Sequence, residues 1–186
     1  YMRDMITGGA NSIRRYKYLV TKIKFPISTI PTFISMANLV VHFGLMLVLL
    51  GIYIAFGYMP TVYWMQLPLY MLLMFLFFTV WGLFAGVLSS ISKDFLNLVK
   101  SLVQALFWLS GILYDANSIN VGWIRSILLF NPVTLIVNGY RNSLIKQVWF
   151  FEDLTELRNF AIVFVIMLVL ALWAYKKLKK DIPDVL

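Results

Sequence analysis

The sequence predicts an all-α integral membrane protein, a helical bundle of about four spans, on three observations. Apolar residues make up 61% of the 186 residues and charged residues only 13%, against about 45–50% and about 25% in a soluble domain. Mean hydropathy is +0.84. No Asp, Glu, Lys or Arg occurs between Lys24 and Lys93. A soluble domain needs a polar surface over so long a stretch; a bilayer removes that need.

A helix crosses the hydrocarbon core with about 20 apolar residues. Four segments qualify: 31–56, 67–90, 95–114 and 160–175. The third carries Lys100 and Gln104. The fourth is short, and Lys176 and Lys177 lengthen it by snorkelling. Basic residues set the orientation. With both ends of the segment in the cytoplasm, twelve Lys and Arg residues lie inside and four outside, namely Arg125, Arg141, Lys146 and Arg158. The inner acids are Asp4, Asp94, Asp181 and Asp184, and the outer ones Asp115, Glu152, Asp153 and Glu156. The whole net charge of +8 therefore falls on one face. The expected location is the cytoplasmic membrane.

The connections differ in kind. The first is a short uncharged outer turn around Gly57, Pro60 and Trp64, and the second a tight inner turn at Ser92-Lys93-Asp94. The third, residues 115–159, is long. It contains apolar pieces too short to span, as in re-entrant or interfacial helices. Val133, Ile136, Val137, Tyr140 and Leu144 follow at helical spacing, with Asn138, Arg141 and Asn142 toward the other face. Trp149, Phe150 and Phe151 read as an interfacial aromatic belt.

Function classes are narrowed by what is missing from the sequence. There is no Cys and a single His, His42, which excludes disulfide scaffolds, thiolate chemistry and multi-histidine metal sites. No phosphate loop ending in Gly-Lys-Ser/Thr occurs, and no Gly-x-Ser-x-Gly elbow. The chain is expected to have no catalytic site and no cofactor. The basic residues flank apolar runs, which fits contact with membrane lipids rather than nucleic acid. Segment 11–26 is basic and aromatic and stops at Phe25-Pro26, as proline ends a helix. It reads either as an anchor on anionic lipid or as a docking helix. Gly82 and Gly86, four apart, suit close helix packing within the chain or across a dimer. His42 reads as a polar residue bonded to a neighbouring helix or as a proton relay. The dense aromatics, Phe75, Phe77, Phe78, Trp81, Phe84, Phe107, Trp108 and Tyr114, pack a core or line a channel.

Four stretches carry a resemblance. They are Gly9-Ala-Asn-Ser-Ile13 through Val20-Thr-Lys-Ile-Lys-Phe-Pro26, then Ile27-Ser-Thr-Ile-Pro31-Thr, then Ser90-Ile-Ser-Lys-Asp94, and Asn131-Pro-Val-Thr-Leu-Ile-Val-Asn-Gly-Tyr-Arg141. In order and spacing the chain resembles the permease subunits of the ABC transporter type 2 family. Within it, the chain looks most like those that export wall teichoic acid and lipid-linked polysaccharides such as O-antigen. The resemblance implies six spans in a full chain, with residues 1–13 the end of the second. It implies two cytoplasmic coupling elements, Arg14, Arg15, Tyr16, Lys17, Tyr18, Lys22, Lys24, Phe25 and Pro26 in one, and Ser92, Lys93 and Asp94 in the other. These would dock a separate ATP-binding subunit that holds the ATP and magnesium. It implies a homodimer, whose conduit candidates are Arg3, Asp4, His42, Trp81, Phe84, Gln104, Phe107, Trp108 and Tyr114. Two alternatives stay open: a drug or lipid exporter of the same family, and a non-transporting membrane scaffold of an envelope assembly complex.

Overall fold

The computed structural model describes residues 1–23, 25–114 and 119–185, so Lys24 and Asp115 lie outside the described residues. Helices α1 (Met2–Arg15) and α2 (Lys17–Thr21) precede a long α3 (Thr29–Ala55). A 3-10 turn (Val62–Gln66) leads into α4 (Leu67–Ile91), and α5 (Lys93–Trp108) follows. Two short helices, α6 (Gly122–Leu129) and α7 (Pro132–Arg141), run into a π-helical turn (Asn142–Lys146). Then come α8 (Thr155–Leu178) and a four-residue α9 (Ile182–Val185).

Among the described residues three helices are long and apolar enough to cross a membrane: Thr29–Ala55, Val62–Ile91 and Thr155–Leu178. The expected third span, 95–114, differs. Its helix has 16 residues and ends at Trp108, about 24 Å at 1.5 Å per residue. The chain then turns at Ser110-Gly111. Ser110 Oγ donates to the Phe107 carbonyl at 2.5 Å. Gly111 adopts a φ of 69°, a left-handed conformation that costs glycine little. The last span also runs further than 160–175, because the helix opens at Thr155 and closes at Leu178.

The central element is α4. Its buried residues follow one stripe from Leu67 to Ala85 and spread round the helix only in its last turns, at Gly86, Val87, Ser89 and Ser90, while Leu72 and Leu76 stay exposed. Helices α1, α3, α5, α7 and α8 all pack on it. By contrast, α3 buries only Ile30, Pro31, Ser35 and Met46, while Val40, Val41, Leu45 and Val48 are exposed. The α8 face of Val165, Ile166 and Val169 is exposed as well. Apolar area of this extent needs lipid or protein against it.

Two cores fill the bundle. One centres on Met5, Ile6, Met74, Phe77, Phe78, Leu96 and Phe160. The other is smaller and gathers Ile13, Val20, Ile27, Ile30, Val87, Ala174 and Ile182. The glycine pair Gly82 and Gly86 works within the chain. A Cβ on Gly82 would stand 3.1 Å from Pro31 Cβ and 3.6 Å from Gly9 Cα. One on Gly86 would stand 2.9 Å from Ser12 Oγ and 3.2 Å from the Gly9 carbonyl. Helix α1 thus meets α4 backbone to backbone, the close approach that small residues permit.

Candidate functional site

At one end of the bundle α1 meets the end of α4. The Arg14 guanidinium donates through Nε to the Ser89 carbonyl and through Nη2 to the Ser90 carbonyl at 3.0 Å. A helix leaves its last carbonyls unpaired, and Arg14 supplies the missing donors. The expected single helix over 11–26 is instead broken. Residues 11–15 belong to α1, and Tyr16, at φ −107° and ψ 29°, bends the chain into the five residues of α2. The backbone N–H of Phe25 donates to the Leu19 carbonyl at 2.9 Å and closes the loop. Tyr16 sits edge-on to Phe33, with ring centroids 5.1 Å apart. Arg15, Lys17, Tyr18, Lys22 and Pro26 are exposed, and Phe25 is half-buried. Lys24, of the same segment, lies outside the described residues.

The Arg14 contacts also bring this segment beside the α4–α5 turn, two residues beyond Ser90. There Ser92 caps α5, its Oγ accepting from the Phe95 N–H at 3.3 Å, as serine does at a helix start. Lys93 and Asp94 are exposed. Beneath lies the smaller core, into which α9 sends the fully buried Ile182. The result is an exposed, mostly basic platform on a packed base, suited to an acidic protein surface or to anionic headgroups.

The conduit candidates do not form one lining. Arg3 and Gln104, both exposed, line with Phe107, Met2 and Val103 an open cavity of about 250 Å³ between α1 and α5. Trp81 borders a second, apolar cavity of about 190 Å³ with Ile6, Phe77 and Leu106, and its Nε1 donates to the Ile6 carbonyl at 3.3 Å. Phe84 is edge-on to Phe95, with ring centroids 6.4 Å apart. Trp108 is exposed, and its carbonyl accepts from the Tyr114 hydroxyl at 3.0 Å. His42 stands apart from both cavities. Its Nε2 lies 3.0 Å from the Tyr140 hydroxyl on α7. Asp4 is exposed and lines neither cavity.

A polar network at the far end was not assigned from sequence. The carbonyls of Leu109, Ser110, Gly111 and Ile112, just past the end of α5, find donors on or at the start of α7. Asn131 Nδ2 donates to Leu109 at 3.0 Å and Thr134 Oγ1 to Ser110 at 3.3 Å. Arg141 Nη2 donates to Gly111 at 3.2 Å and to Ile112 at 3.5 Å. Asn131 Oδ1 also accepts from the Val133 N–H at 3.0 Å, with Pro132 in the first turn of α7. Arg141 Nη1 donates to Asn138 Oδ1 at 3.1 Å, and Asn138 Nδ2 to Glu156 Oε1 on α8 at 2.8 Å. Gln66 joins the same rim, donating to the Val148 carbonyl at 2.9 Å and accepting from the Phe150 N–H at 2.8 Å. An Asn-Pro pair at a helix start is the one signal in the sequence that points to this cap; nothing marks the partners of Thr134, Asn138 and Arg141. Just outside, Asp153 Oδ1 accepts from the Thr155 N–H at 2.9 Å. That bond holds its carboxyl below the usual carboxylate range.

Residues 5–145, from the first turns of α1 to the π-helical turn, match the ABC-2 type transporter family. The chain belongs to this family. Its members are membrane transport subunits, so the all-α bundle is that of a multi-pass ABC-2 permease. The chain is 29% identical over 140 residues to the O-antigen export system permease protein RfbA of Myxococcus xanthus. That match covers 73% of this chain and 53% of RfbA, so the chain spans about half the length of the curated relative it matches. The ABC-2 match takes in α1, α2, the α4–α5 turn and the capped stretch 131–141.

Proposed function

We propose that the ABC-2 permease exports a lipid-linked polysaccharide, teichoic acid or an O-antigen-like polymer, as a homodimer driven by a cytoplasmic ATP-binding subunit. One observation carries the reading most directly. Arg14 ties α1 to the end of α4, so the exposed Arg15, Lys17 and Lys22 stand beside the exposed Lys93-Asp94 turn. Two surface elements far apart in sequence form one platform, as a docked motor subunit requires. The family match and the likeness to RfbA support the transport role and the polymer class. The chain's own contribution is passage and coupling; ATP and magnesium belong to the partner subunit. The positive-inside distribution puts the platform, and both ends of this segment, in the cytoplasm.

Co-purification tests the proposal. The full-length permease is solubilised from its native membrane with everything bound to it. An ATPase with a phosphate-binding loop is expected to come with it, and Arg15→Glu with Lys17→Glu and Lys22→Glu to release it. Arg14 is left intact, because reversing it would orphan the α4 carbonyls. A permease that emerges alone or with envelope synthases, unaffected by the reversals, would instead be a scaffold.

A further inference from the structure

Arg3 stands twelve residues before Arg15 on α1, and Gln104 eleven residues after Lys93 on α5. At 1.5 Å per residue they lie about 18 Å and about 16 Å from the basic inner end. That is near the middle of a hydrocarbon core about 30 Å thick. A guanidinium at this depth faces a cavity or a partner group. Here the exposed Arg3 borders an open-mouthed cavity of about 250 Å³ that the exposed Gln104 lines with Phe107, Met2 and Val103. Among the described residues it makes no ion pair; the Arg3 carbonyl takes the Thr7 hydroxyl at 3.0 Å. Asp4 is the next residue, about 100° around the helix, and does not border the cavity.

We propose that Arg3, with Gln104 across the α1–α5 seam, is a binding station for a phosphoryl oxyanion carried by the transported chain. The guanidinium offers two parallel N–H donors to such a group, and the Gln104 amide adds one. Met2, Val103 and Phe107 supply apolar surface beside the two polar groups. A phosphodiester fits, because it keeps one charge while its substituents lie along that surface. The phosphoryl group has two sources, the lipid attachment or the polymer backbone. This inference rests on the conduit reading but is tested without transport or ATPase.

The full-length permease in nanodiscs is titrated with dodecyl phosphate, with a short glycerol-phosphate oligomer, with dodecanol and with a uronic-acid oligosaccharide. Binding is read by native mass spectrometry. The wild type is expected to bind one or both phosphates. Arg3→Gln should weaken that binding roughly tenfold or more, Arg3→Lys and Gln104→Leu by less, and none should alter dodecanol binding. Dodecyl phosphate alone points to the lipid attachment, and the oligomer to the backbone. Phosphate affinity unchanged within about twofold in Arg3→Gln overturns the station. So does equal loss in Asp4→Asn, which would make Arg3 an ion-pair partner of that acid. Preference for the uronic acid overturns the phosphoryl assignment. Should Arg3→Gln fail to fold, Arg3→Lys and Gln104→Leu decide alone. An ATPase that co-purifies while Arg3 proves indifferent leaves the transporter standing without this station. Arg3-dependent binding in a permease with no ATPase does the reverse.

Discussion

The two ends of the bundle are held by different physics. At the basic end α1 and α4 touch through Gly9, Gly82 and Gly86, and a small apolar core seals the joint under Ile182. Little there can rearrange, since close-packed backbones have no alternative partners. At the other end α5 stops early, and Asn131, Thr134 and Arg141 cap its carbonyls. Side-chain hydrogen bonds of this kind can break and be remade by water or by a substrate hydroxyl. A permease needs a firm end to take a push and an exchangeable end to open. In the proposed export cycle the platform end takes the push and the rim of Asn131, Thr134 and Arg141 opens.

The largest effect is expected at the firm end. Gly82→Leu forces a branched side chain between Pro31 and Gly9, at a cost of about 3 kcal/mol or more. Monodisperse protein should be lost in size-exclusion chromatography. Recovery of normal, fully stable protein would show that α1 can leave α4 cheaply. At the exchangeable end, Arg141→Met leaves Asn138 Oδ1 and the Gly111 and Ile112 carbonyls without their donor. Roughly 2–3 kcal/mol is expected. Hydrogen exchange should quicken in 109–114 and around 138 while 9–15 stays protected. Equal quickening at both ends would erase the distinction.

How far this contrast could be read in the sequence differs between its halves. The apolar runs of α3 and α4 show themselves, because a helix is apolar throughout whether lipid or the bundle surrounds it. Gly82 and Gly86 announced a close contact but not its partner, since the spacing suits α1 as well as a second chain. The break in 11–26 is not legible: Tyr16 carries no special backbone signature, and the Arg14 bonds to the α4 carbonyls beside the bend join residues about 75 apart. The span 95–114 looked continuous because Leu109, Ile112 and Leu113 are apolar. What ends the helix is the set of donors on α7, more than twenty residues away. Of the conduit candidates, Arg3, Gln104 and Phe107 converge, whereas His42 turns to Tyr140. Composition marks polar residues inside a membrane but not which of them face each other.

Smaller perturbations sharpen the outer half. Asn131→Ala removes the cap on Val133 and the donor to Leu109, and should cost roughly 1–2 kcal/mol. The thermal transition is expected to fall by less than in Arg141→Met. A larger fall would make the cap, not the guanidinium, the main tie. The smallest effect concerns Asp153, whose pKa is depressed by the bond from Thr155. A depressed carboxyl stabilises the fold fully above its unfolded pKa of about 3.9, and loses that contribution as pH falls through its lower folded value. Between about pH 4 and lower values, the wild type should lose stability slightly faster than Asp153→Asn. Parallel curves would mean that the Thr155 bond is immaterial.

The proposed activity is ATP-driven passage of a lipid-linked polymer through this permease. Its most direct measurement is leaflet transfer in sealed vesicles holding the full-length permease, its ATPase and the radiolabelled polymer. A glycosidase confined to the compartment opposite the ATPase reports arrival. Cleavage is expected only with ATP and only when both proteins are present. Cleavage that proceeds equally without the permease, or never with it, would contradict the account.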